Sequence, residues 1–167
     1  VGEVVKAPDR PSTEGRRVVG EINAACRRCD PCRRGLPNHC ASRRVLGIRG
    51  MDGAFAEHLV LPVANLHEVP ESVPDEAAVF AEPLAAALRI LEQVEVGPGD
   101  KVLVVGAGRI GQLAARVLAR TGCDLRVAAR HPNQRELLKR DGIAFVREEE
   151  IPVGRMDTAV EATGSAD

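Results

Sequence analysis

The sequence predicts an α/β chain in which a short-stranded, β-rich segment is followed by part of a doubly wound parallel sheet. Three observations predict it. Lys101–Val105 is a five-residue run with four apolar side chains, as a buried parallel strand requires. It runs into Gly106-Ala107-Gly108-Arg109-Ile110-Gly111, and residues 110–120 then carry Ile110, Leu113, Ala114, Val117 and Leu118 at helical spacing. Upstream, Cys26, Cys29, Cys32 and Cys40 fall within 15 residues, in a stretch rich in turn residues.

The bulk composition narrows the field. With 167 residues, 44% apolar and a formal charge of −1, the chain supports one or two small domains. Three Phe and no Trp or Tyr leave the core to Val, Leu, Ile and Ala. Near-zero net charge gives no general case for nucleic acid or membrane binding. The apolar stretches 77–81 and 84–88 are split by Glu82-Pro83 and are too short to span a bilayer.

Taken in order, Val1–Val5 and Arg17–Ile22 read as strands joined by a polar turn with Pro8, Asp9, Pro11 and Gly15. The cysteine cluster follows, and three chemistries compete for it. A tetrathiolate zinc site needs four converging thiolates, which a short looped lobe supplies. A bacterial ferredoxin run places its fourth Cys after three residues and before Pro; here seven residues intervene and Ala41 follows Cys40. Disulfides belong to oxidising compartments, whereas C-x-x-C pairs beside a nucleotide fold point to a reducing one. Zinc is the favoured reading. Arg27, Arg28, Arg33, Arg34, Arg43 and Arg44 surround the cluster against only Asp30. Either they grip nucleic acid, or they offset the charge of about −2 on a zinc tetrathiolate. With no aromatic residue between Cys26 and Arg44 to stack on a base, the second reading is preferred. His39 reads as a surface loop residue rather than a ligand.

Gly53–Pro62 reads as a strand, Asn65–Val69 as another, and Pro70 and Pro74 bracket a turn. Asp75-Glu76 open a helical stretch, with acids at its positive end. Glu82 is a lone carboxylate in an Ala-rich, apolar surround. It is either a helix-start acid before Pro83 or a metal-site or proton-transfer carboxylate.

Gly106-x-Gly108-x-x-Gly111 lies between a strand and a helix, the context that makes the pattern a dinucleotide fingerprint. The first glycine makes the tight turn, the second admits a pyrophosphate to the backbone, and the third lets helix pack on strand. The helix start, with Arg109 and Ile110, turns free N–H groups and a positive dipole end toward the phosphates. Cys123 reads as a small packed residue, Leu125–Ala129 as the second strand, Gln134–Arg140 as a crossover helix and Ala144–Val146 as a weak third strand.

The four-cysteine lobe, Asp52-Gly53-Ala54-Phe55-Ala56-Glu57, Glu82-Pro83-Leu84 and Gly97-Pro98-Gly99-Asp100 leading into the glycine turn occur in one order at suitable distances. Together they resemble the zinc-containing medium-chain alcohol and polyol dehydrogenases, and the resemblance covers essentially the whole chain. It implies a GroES-like catalytic domain over residues 1–90, with a structural zinc lobe at 26–40, and a Rossmann domain over 91–167, both partial. It implies that Cys26, Cys29, Cys32 and Cys40 hold the structural zinc. In the sorbitol and threonine dehydrogenase branches a Glu-Pro-Leu glutamate serves the catalytic zinc directly or through its water, a role that maps to Glu82. The implied reaction is hydride transfer between an alcohol carbon and the nicotinamide of NAD(P), with zinc favouring the alkoxide.

The chain departs from that family pattern in three places. The catalytic Cys and the Gly-His-Glu lie upstream of the segment matched by Val1–Val5, and Thr158–Gly164 matches only the fourth of six Rossmann strands. The expectation is therefore an internal fragment of a longer enzyme, inactive by itself. The third departure is at the cofactor. The acid that binds the ribose 2′-OH at the end of the second strand is replaced by Ala129, and Arg130 follows. With no carboxylate at that position to repel a 2′-phosphate, and a guanidinium able to pair with one, NADP is expected over NAD. The alternative is a solvated Arg130 before the His131-Pro132-Asn133 helix start.

The expected substrate is a small alcohol, aldehyde or polyol, with no nucleic-acid or membrane partner, in a cytoplasmic enzyme that is a homo-oligomer when intact. Two other readings remain: a non-catalytic dinucleotide-binding product, and a zinc-stabilised interaction or nucleic-acid module.

Overall fold

The computed structural model describes residues 1–151 and 154–165. It divides into two compact units, Val1–Glu82 and Pro83–Asp167.

In the first unit, β1 (Gly2–Glu3) pairs antiparallel with β2 (Arg17–Gly20), and the turn between them reverses at Gly15 with φ +74°. β3 (Asn23–Ala24) leads into the cysteine lobe, which holds the four-residue helix α1 (Asp30–Arg33). The chain leaves the lobe as β4 (Arg44–Leu46), antiparallel to β3, and β5 (Gly50–Met51) pairs with β4. β6 (Leu66–Glu68) then completes the first sheet in the order β1-β2-β6. Polar bonds help to hold this unit. The buried Asn65 amide donates to the Glu21 and Asn23 carbonyls at 3.0 and 2.8 Å. Arg17 donates to Asp75 at 2.8 Å and to the Pro70 and Val73 carbonyls at 2.9 and 2.6 Å, fastening the turn before α2 (Asp75–Ala78).

The strand expected over Gly53–Pro62 does not form. Among the described residues no ladder bond reaches this stretch, and Phe55 and Val60 stand 111% and 86% exposed. Short apolar runs make a strand only when an edge is present to receive them.

α3 (Ala81–Gln93) begins at the end of the first unit, and within the second it lays Leu84, Ala87 and Ile90 against Ala114 and Val117, residues of a later helix. β7 (Lys101–Val105), α4 (Arg109–Ala119), β8 (Asp124–Ala128), α5 (Pro132–Arg140), β9 (Phe145–Val146) and β10 (Thr158–Glu161) follow. The four strands form a parallel sheet in the order β10-β7-β8-β9, one half of a doubly wound fold with β7 at the point where the strand order reverses. Val102, Val104 and Val127 of the sheet meet Leu118 and Leu138 of the helices, all five fully enclosed. Of the stripe read on α4, Ile110 alone stands exposed, at 45%, because it lies in the first turn, before the helix crosses the sheet. Among the described residues no helix is long and apolar enough to cross a membrane.

Candidate functional site

The glycine turn is built by steric exclusion. Gly106 ends β7 with φ +97°, and a Cβ there would lie 2.8 Å from the Thr163 nitrogen. At Gly111 a Cβ would lie 2.0 Å from the Gly106 carbonyl oxygen, so that only glycine lets α4 close on the turn. Gly108, the N-cap of α4, is different: a Cβ there meets nothing within 4 Å. Two glycines thus close the fold and the middle one borders open space, as a site for backbone approach to a pyrophosphate demands.

That space is a cleft of about 440 Å³. Gly106, Ala107 and Gly108 line it together with Ala129, Arg130, Glu148 and Thr163. It lies outside the carboxyl ends of β7, β8 and β10, where open parallel sheets take their ligands. Arg109 and Ile110 are exposed in the first turn of α4, whose N–H groups have no helical acceptor. The buried Gln112 ties the turn to α5, donating to the Ala107 and Gln134 carbonyls at 3.4 and 3.1 Å. Glu161, at the end of β10, accepts from the Thr163 hydroxyl and N–H, and these bonds hold its carboxyl below the usual carboxylate range.

Arg130 lines the cleft, and the buried Ala129 leaves the acid position without a carboxylate. A carboxylate is nevertheless present. Glu148, beyond β9, faces Arg130 at 3.3 Å across the same cleft. The sequence does not reveal this pairing because Glu148 is distant along the chain. Its one signal was an acid run, Glu148–Glu150, just after a third strand whose end had to lie beside Arg130.

The second cluster lies in the first unit. The sulfurs of Cys26, Cys29, Cys32 and Cys40 all lie within 4.8 Å of one another, with Cys29 and Cys32 at 3.4 Å. A tetrahedral ion with bonds of about 2.3 Å needs sulfurs about 3.8 Å apart, so this set fits zinc. Arg27 takes the left-handed conformation, φ 58°, inside the first C-x-x-C turn. The Arg28 and Cys29 N–H groups there bond the Cys26 sulfur and lower its pKa to about 6. Desolvation, with the neighbouring Cys29 and Cys40, pushes Cys32 up to about 12. His39 is exposed and outside the cluster. Three of the six arginines have local partners: Arg27 donates to the Ala64 carbonyl, Arg43 to the Asn38 carbonyl, and Arg34 faces Asp30 at 3.7 Å. Cys123 is half-buried against the second unit's core.

Glu82 stands in the first turn of α3 and is exposed, so the desolvation cost of a buried carboxylate does not arise within its unit. It joins no group of three or more metal-capable side chains among the described residues.

Two family models match the chain. The alcohol dehydrogenase GroES-like domain covers residues 1–71, and ketopantoate reductase PanE/ApbA covers 102–167. L-galactonate-5-dehydrogenase of Escherichia coli K12 is 36% identical over 122 residues, 73% of this chain and 35% of that protein. A zinc-binding dehydrogenase of Sinorhizobium meliloti 1021 bound to NADP superposes with a TM-score of 0.87 at 30% identity, over 99% of this chain and 53% of that one. A short chain alcohol dehydrogenase of E. coli CFT073 complexed with NADH gives 0.85 at 30% identity, over 96% and 51%. The chain thus spans about half the length of these solved relatives.

Proposed function

The chain belongs to the zinc-containing medium-chain alcohol and polyol dehydrogenase family, and on that premise we propose that it is the cofactor-binding and zinc-lobe portion of an enzyme that passes hydride between a small alcohol or polyol and NADP. The observation that carries the reading is one cleft that brings together the glycine turn and Arg130 at the carboxyl ends of parallel strands. When bound, the nicotinamide exchanges hydride and the catalytic zinc of the whole enzyme supplies Lewis acidity.

This chain's residues bind and orient. Gly106, Gly108 and Gly111 shape the turn, and the Arg109, Ile110 and Gly111 amides meet the phosphates with the positive end of α4 behind them. Arg130 pairs with the 2′-phosphate, and Ala129 leaves room for it. Cys26, Cys29, Cys32 and Cys40 hold the structural zinc. Glu82 offers its carboxylate to the catalytic zinc, directly or through a water. Substrate choice among alcohols, aldehydes and polyols, assembly as a homo-oligomer and a cytoplasmic setting belong to the same proposal.

Calorimetric titration of the chain with NADPH and NADH tests it. Both are expected to bind, NADPH more tightly, and Gly108→Val is expected to abolish both. Tighter NADH binding overturns the cofactor preference, and no binding of either overturns the reading.

A further inference from the structure

Glu148 has no part in the binding scheme above, yet it shares the cleft with Arg130. The sheet puts the two together. β8 and β9 run parallel with Ala128 opposite Val146, so residues 130 and 148 lie two positions beyond one matched pair. There the Arg130 Nη2 donates to Glu148 Oε2 at 3.3 Å. The Arg130 carbonyl accepts from the Arg135 guanidinium at 3.2 Å, which ties this backbone to α5. Glu150, two residues on, turns back to accept the Arg147 N–H at 3.0 Å, leaving Glu148 as the acid facing Arg130.

We propose that Glu148 is a second determinant of cofactor choice, a tethered anion that holds Arg130 until the 2′-phosphate of the cofactor displaces it. This rests on the reading of Arg130 as the 2′-phosphate partner. The exchange is easy because both side chains are largely exposed, at 76% and 71%, and such pairs are weak. A phosphate monoester brings more charge and three acceptor oxygens against one carboxylate. A dinucleotide lacking that phosphate leaves the pair intact. The preference for NADP is therefore smaller than Arg130 alone would give, since each 2′-phosphate must first break the pair and then sit beside the released carboxylate.

Titration of the chain with 2′,5′-ADP and, separately, with 5′-AMP tests the exchange. Glu148→Gln is expected to tighten 2′,5′-ADP about threefold to tenfold and to leave 5′-AMP within about twofold. Added salt should shrink the gain by screening the charges. Arg130→Ala is expected to weaken 2′,5′-ADP about tenfold and to spare 5′-AMP. If Arg130→Ala acts as expected while Glu148→Gln leaves 2′,5′-ADP unchanged, weakens it, or tightens both ligands alike, the exchange is overturned and the Arg130 reading stands. If Arg130→Ala leaves 2′,5′-ADP unchanged, both fall. Glu148 is exposed, so an unchanged thermal melt is expected for Glu148→Gln and separates binding from folding.

Discussion

Within residues 26–40 of the first unit only Cys40 is buried, whereas in the second unit Val102, Val104, Leu118, Val127 and Leu138 are fully enclosed between sheet and helices. The lobe has four sulfurs within 4.8 Å where the sheet has a hydrocarbon core. On the proposed zinc site, a lobe without a core takes its order from the ion it binds, because binding free energy there is folding free energy. A sheet with one keeps its order without help. The glycine turn sits on the second kind of support, which suits a surface that must hold its amides in place for a ligand.

The largest expected effect separates the two regions directly. Cys40→Ser removes one of four thiolates, and metal analysis should fall from about one zinc per chain to a small fraction of that. Hydrogen exchange should then show residues 26–45 unprotected while β7 and β8 keep their protection. Loss of protection in both regions would break the distinction.

Gly111→Ala attacks the other side. The added methyl meets the Gly106 carbonyl at 2.0 Å, and backbone must move. A cost of about 3 kcal/mol is expected in denaturant unfolding, with zinc content unchanged. Next comes Arg17→Met, which strips three bonds from the turn before α2. It should cost about 1–2 kcal/mol in the first unit and leave dinucleotide affinity alone.

The smallest effect is one of pH. The Glu161 carboxyl is held low by the Thr163 hydroxyl and N–H, so its contribution is complete above the ordinary carboxylate pKa of about 4.3. It is lost as pH falls through the lower folded value. Thr163→Val should flatten the acid side of the stability profile slightly, and a profile of unchanged slope would refute the assignment.

The second unit was largely legible in the sequence because its signals are local. Lys101–Val105 is an apolar run, and Gly106 and Gly111 announce a turn that other residues sterically forbid, with Gly108 between them facing open space. The cysteine spacing likewise declared a cluster before any fold was known. What stayed hidden depended on distant chain. Gly53–Pro62 carries two short apolar runs that read as a strand, but it finds no edge to pair with among the described residues. Glu148 meets Arg130 only through the β8–β9 register, which no single stretch encodes.

The amides of the turn from Gly106 to Gly111 are proposed to hold the phosphates of a dinucleotide. Backbone amide shifts of the chain titrated with NADPH test it most directly. The largest shifts are expected at Gly108, Arg109, Ile110 and Gly111, with Arg130 responding to NADPH and not to NADH. Saturable shifts confined to other residues, with these amides unmoved, would contradict it.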